Sequence, residues 1–150
     1  MTGFLIGAVL AAGCVVSPVE DPVPGIIGPI TGQAPAWLID GASGQWASPE
    51  TRIKTLWVLS KKASGTLHIE GRRLDGEGIA RFQDGGVEGT PANTLDIDKP
   101  WNRAWPSNAT PEVRRDYAFV PNYVLYPSRG CWQFTVRLGE DETRITIEIR

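Results

Sequence analysis

One histidine and two cysteines are all that the 150 residues offer toward most metal and nucleophilic chemistry. A lone His68 excludes multi-histidine metal sites and routes any Ser-His-Asp or Cys-His mechanism through that residue. Cys14 and Cys131 stand at opposite ends of the chain, at no metal-ligand spacing. Charge of one sign is also scarce: 15 Lys and Arg face 17 Asp and Glu, for a formal net charge of −2. The basic pairs Lys61-Lys62, Arg72-Arg73 and Arg114-Arg115 are mixed with acidic residues, so no basic stripe is available to neutralise phosphates and no nucleic-acid partner is expected. No apolar run approaches the ~20 residues of a spanning helix. Sustained helical periodicity and internal repeats are absent as well.

What the chain does have is turns and alternation. Its 17 Gly and 12 Pro imply many irregular joints. Trp132, Phe134, Val136 and Leu138 alternate with Gln133, Thr135 and Arg137, and Ile145, Ile147 and Ile149 alternate with Thr146, Glu148 and Arg150. This period of two predicts a terminal β-hairpin. Upstream, 52–59 is apolar on both faces, as a central strand would be. In 66–71, Leu67 and Ile69 point inward while His68 and Glu70 point outward. Asp75-Gly76-Glu77-Gly78 supplies turn chemistry before Ile79-Ala80-Arg81-Phe82. From Asp84 to Asn108 no period is sustained, which predicts a long irregular loop; order returns over 117–120 and 123–126. Residues 36–150 are expected to form an all-β, Ig-like antiparallel sandwich of about seven strands.

The first nineteen residues carry no charge, and Phe4–Ala12 is a nine-residue apolar run followed by Gly13-Cys14. This stretch resembles a bacterial lipoprotein signal. The resemblance implies an export signal over 1–13, lipidation of Cys14, and a protein exported and membrane-anchored at the cell surface or in the periplasm. Plain secretion and an apolar N-terminus packed on the domain are the alternatives. Residues 14–35 hold five prolines and read as a tether, unless Ile26, Ile27 and Ile30 pack as an irregular first edge strand. The Gly130-Cys131-Trp132 hairpin is similar to that of a family of uncharacterised bacterial lipoproteins with a small C-terminal Ig-like domain. That resemblance implies a fold and a compartment without an activity.

Candidate sites are few. His68 and Glu70 share an outer strand face, where such pairs are usually solvated. Cys131 falls in phase with Gln133 and Thr135 or else at the irregular strand entry, and a structural free thiol is expected there, pairing with Cys14 being the alternative. Trp101 and Trp105 lie in the long loop, either as a flat apolar surface for a ligand or as a cap on an open end of the sandwich. The acidic turns at Asp75/Glu77 and Glu140-Asp141-Glu142 lack the ligand count of a calcium loop. No cofactor or metal is expected. The reading is a membrane-tethered, non-catalytic envelope module whose partner is an envelope protein or glycan. A ligand-binding domain using Trp101 and Trp105, and a minor hydrolase using His68, are the alternatives.

Overall fold

The computed structural model describes residues 13–23, 25, 30–40, 46–84, 89–102 and 105–150. Residues 1–12 of the expected export signal 1–13, together with Ile26 and Ile27, lie outside the described residues. Among the described residues there are ten strands and one short α-helix: β1 (Val19–Glu20), β2 (Ile30–Gln33), β3 (Ala36–Asp40), β4 (Ile53–Ser60), β5 (Leu67–Arg73), β6 (Arg81–Asp84), β7 (Thr94–Ile97), α1 (Pro111–Asp116), β8 (Tyr117–Leu125), β9 (Gly130–Leu138) and β10 (Asp141–Ile149). They make a six-stranded sheet in the order β1-β2-β3-β4-β8-β6 and a four-stranded sheet in the order β10-β9-β5-β7. Every strand pairing is antiparallel, so the expected all-β sandwich is what forms, with ten strands instead of about seven.

The period-2 pattern decides which side chains fill the space between the sheets. Trp57 and Leu59 of β4, Leu67 and Ile69 of β5, Phe134 and Val136 of β9 and Ile145 and Ile147 of β10 all join one buried cluster. Edge-to-face rings hold its centre: the Phe134 ring meets Trp57 at 5.2 Å and Phe82 at 6.1 Å between centroids, geometries that suit the ring quadrupoles. Gly71 is required there, because a Cβ would come within 2.7 Å of the Phe134 ring.

A second, smaller core explains why β4 is apolar on both faces. Trp37 of β3, Val58 of β4 and Phe119 of β8 face away from the sandwich interior and are covered by Val23 and by Val113 of α1. The helix starts where Thr110 accepts a hydrogen bond from the Val113 amide and Pro111 takes the first turn. Tyr117 Oη donates to the Pro22 carbonyl and fastens the overlying N-terminal segment.

A free spacer over 14–35 is therefore corrected for its described residues. Ile30–Gln33 pairs with β3, Val19–Glu20 pairs with β2, and the backbone of Ser17 donates to the Thr146 carbonyl at 2.8 Å. No proline falls inside β1 or β2, so both can pair, and β1 takes the outer edge of the sheet. Ile30 is buried there, at 1% exposure, so the packing does not begin at Ala36. The long loop expected over 84–108 is corrected too. It contains β7, whose Leu95 and Ile97 enter the core, and a 3₁₀ turn over Pro100–Asn102.

The β9–β10 turn is pressed against the chain near residue 65. Gly139 has φ 60°, and a Cβ on it would lie 2.0 Å from the Ser64 carbonyl oxygen. Gly139→Ala is expected to lower unfolding free energy by about 1–3 kcal/mol, since backbone must move to relieve the clash. Urea denaturation of the two proteins checks this, and a midpoint unchanged from wild type would show that the turn adapts freely.

Candidate functional site

Strand register arranges the outer face of the four-stranded sheet into rows. One row reads Asp96, His68, Arg137, Glu142 across β7, β5, β9 and β10; the next reads Thr94, Glu70, Thr135, Arg144; a third begins Arg72, Gln133, Thr146. The outward placement of His68 and Glu70 follows from alternation on β5, whose Leu67 and Ile69 are fully buried.

The first row is held by side-chain hydrogen bonds. His68 Nδ1 lies 2.5 Å from Asp96 Oδ1, and the Thr94 hydroxyl donates to Asp96 Oδ2 at 2.6 Å. The Thr94 hydroxyl first, and then His68, hold the Asp96 carboxyl below the ordinary carboxylate range. The other imidazole nitrogen, Nε2, faces Glu70 Oε2 at 3.8 Å. Arg137 Nε donates to Glu142 at 3.0 Å, and this hydrogen bond raises the guanidinium's pKa.

Chemically, an imidazole oriented by a carboxylate is half of an acyl-transfer machine; the other half is a hydroxyl or thiol on the free nitrogen. Here Nε2 faces a second carboxylate, and the neighbouring hydroxyl of Thr94 is already spent on the carboxylate side. The arrangement can bind and orient polar groups. Asp96 and Thr94 were not legible as partners of His68, although Thr94-Leu95-Asp96-Ile97 alternates for four residues.

Next to this row lies a groove of about 460 Å³, bordered by Arg72, Ile79, Gln133, Thr135, Arg137 and Arg144, with Glu70 and Glu142 also on it. Sequence reasoning missed it, because its arginines are far apart along the chain and only the pairing of β5, β9 and β10 brings them together.

Trp101 and Trp105 are divided by the structure. Trp101 packs against the main core, as a cap would. Trp105 is 38% exposed, and Lys61 Nζ and the Arg114 guanidinium each sit 5.7 Å from its ring centre. No ring contact joins the two tryptophans among the described residues. Asp75 accepts from Arg73 Nε at 2.8 Å and from the Cys131 amide at 3.0 Å, so its carboxylate organises the turn.

Cys131 does face outward in phase with Gln133, yet it is only 3% exposed. The N-terminal strap covers it, and its sulfur is bonded to Cys14 across 117 positions of sequence. The expected free thiol at Cys131 is corrected. Lipidation of Cys14 competes for the same atom, since one Sγ cannot hold both a diacylglyceryl thioether and a disulfide.

No protein-family model matches the chain, and no curated protein matches its sequence. Its structure is similar to the crystal structure of a Bacillus anthracis protein provisionally described as a lipoprotein, with a TM-score of 0.55 and 15% identity over 97% of this chain and 94% of that one. What the two share is the fold.

Proposed function

We propose that the protein is an exported module of the cell envelope that acts by binding and not by catalysis. The observation that carries this reading is the Cys14–Cys131 disulfide, which ties the residue just after the apolar N-terminal run to β9. Such bonds persist in oxidising compartments and are rare where thiols are kept reduced. The uncharged run Phe4–Ala12 gives the route out of the cell, and the fold shared with a protein described as a lipoprotein supports the same compartment. Two carboxylates on the two nitrogens of His68 favour a polar binding face over a hydrolase.

A second reading keeps Cys14 as the membrane anchor, favoured by Ala12-Gly13 standing directly before it. In that form Cys131 is a free thiol. Intact mass of the protein recovered from the cell envelope separates the two. The expected result is an oxidised pair with no acyl group, detected as a gain of two hydrogens after reduction. A diacyl increment on a chain beginning at Cys14 assigns the anchored form. A chain still beginning at Met1 with two free thiols in the soluble cell contents overturns export altogether.

A further inference from the structure

The geometry points to the outer-face groove of the four-stranded sheet as a binding site for an anionic glycan, a sugar polymer carrying carboxylates or phosphates at intervals. This inference rests on the reading of the protein as an envelope binding module and names the site and ligand class.

Three guanidinium groups, Arg72, Arg137 and Arg144, border the groove against two carboxylates, Glu70 and Glu142. A local excess of positive charge thus appears on a chain whose net charge is −2. The carboxylates do not use up the donors. Arg72 is exposed, and its side chain makes no hydrogen bond or ion pair among the described residues. Arg137 meets Glu142 through Nε, leaving its two terminal nitrogens without a hydrogen bond among those residues. Arg144 lies 3.8 Å from the same glutamate, beyond hydrogen-bonding distance. Paired guanidinium nitrogens are suited to carboxylate and phosphate oxygens.

Spacing selects among anionic ligands. With strands about 4.8 Å apart and alternate residues about 6.8 Å apart, the register places the Cα atoms of Arg137 and Arg144 about 8 Å from each other and that of Arg72 about 12–14 Å from both. Sparse charges of that kind match a polymer with intermittent anions better than the dense phosphates of a nucleic acid, which Glu70 and Glu142 would also repel. Between the arginines are neutral groups suited to sugar hydroxyls. The Thr135 hydroxyl has no partner among the described residues, and Gln133 uses its amide nitrogen on Thr146 while its oxygen stays available. The exposed aliphatic group on the groove is Ile79, at 50% exposure, enough for the C–H face of one ring. A protein partner would need a cluster of apolar or aromatic anchors, which this groove does not offer.

The test titrates the purified, oxidised protein with three probes: oligomeric hyaluronate, which carries a carboxylate on every second sugar, a polymer of disaccharide 1-phosphate units, and neutral dextran. Binding to one or both anionic probes and not to dextran is expected, and the stronger of the two identifies the source of the anion. Substituting Arg72→Gln and Arg144→Gln together should weaken that binding by at least about tenfold, since each removes charge-assisted hydrogen bonds. The melting temperature should hold, because both side chains are exposed. Lys61→Gln with Arg114→Gln removes the same charge beside Trp105 and should leave binding within about twofold. Equal affinity for dextran, no binding to any probe, undiminished binding by the groove variant, or equal weakening by the Lys61/Arg114 variant each overturns the inference. Failure here with the disulfide intact leaves the export reading standing. Free thiols in the soluble cell contents would remove that reading whatever the titration shows.

Discussion

Replacing Cys14 with Ser is expected to lower the unfolding free energy by about 2–5 kcal/mol and the melting temperature by about 5–15 °C. The bond closes a loop spanning 117 positions, among the longest this chain permits, so its loss releases a large share of the unfolded chain's freedom. Part of the effect is local. Without the bond, residues 14–17 depend on the Ser17 backbone donating to Thr146 O and on Thr146 N donating to Ser17 Oγ, each at 2.8 Å, while 18–23 stay held by the Gly32 amide on Pro18 O, the Trp37 indole on Glu20, the Tyr117 hydroxyl on Pro22 O and the short β1–β2 pairing. Fraying there relieves some of the cost before the sandwich opens, which places the global loss below the full loop-closure value. The check is calorimetry of wild type with and without reductant, of Cys14→Ser and of Cys131→Ser. All three altered proteins should melt together below the oxidised wild type, and hydrogen exchange at Thr146 should quicken. Coincident melting of oxidised and reduced wild type would show that the bond holds nothing the sheets do not already hold.

The strap also marks where the amino-acid sequence stops being readable. Strands β4, β5, β9 and β10 were legible because each carries enough alternating residues for burial to impose its period, and β4 betrayed its second buried face through Leu56 and Val58. The placement of 14–23 depends on something no local pattern contains, namely exposed edges and an uncovered apolar patch at Trp37, Val58 and Phe119. Proline-rich sequence reads as a spacer until such a surface is known. Helix α1 is only six residues long, under two turns, so it leaves no periodic stripe. Its start was nevertheless written in Thr110-Pro111, an N-cap followed by a first-turn proline. β7 escaped for the same reason of length, hidden among the glycines and prolines of 85–106.

The outer face shows the same division between side-chain direction and partner. Alternation alone sent His68, Glu70 and Cys131 outward, and the structure places them so. Partners required register: Asp96 reaches His68 because β7 pairs with β5, and Arg137 reaches Glu142 because the β9–β10 turn takes only two residues. Long-range pairing is likewise what converts Cys131 from an outward thiol into a buried half-cystine, because Glu148, the residue opposite it on β10, lies next to the strap's path along that edge.

Trp57→Ala should be the most damaging single change in the sandwich, costing about 3–5 kcal/mol for the lost ring alone. Trp57 is fully buried at the centre of the six-stranded sheet, with its ring edge-to-face against Phe134 of the opposite sheet. Its indole N–H donates at 2.9 Å to Oδ1 of Asn122, which is itself only 1% exposed. Truncation therefore opens a cavity and also strands an amide, and an unsatisfied buried polar group costs about 1–3 kcal/mol more. Against a typical total of about 5–15 kcal/mol, the variant is at the border of folding. Trp57→Phe separates the two contributions, keeping most of the ring while removing the donor; it should cost about 1–3 kcal/mol. Asn122→Leu in the Trp57→Phe background should recover part of that loss, because the orphaned acceptor is then gone. Urea midpoints for the three variants check the order. Asn122 Nδ2 also donates to the Tyr123 carbonyl at 3.4 Å, so if Asn122→Leu destabilises the Trp57→Phe protein further, that bond outweighs the orphaned acceptor and the indole–amide pair is not the polar pin of this core.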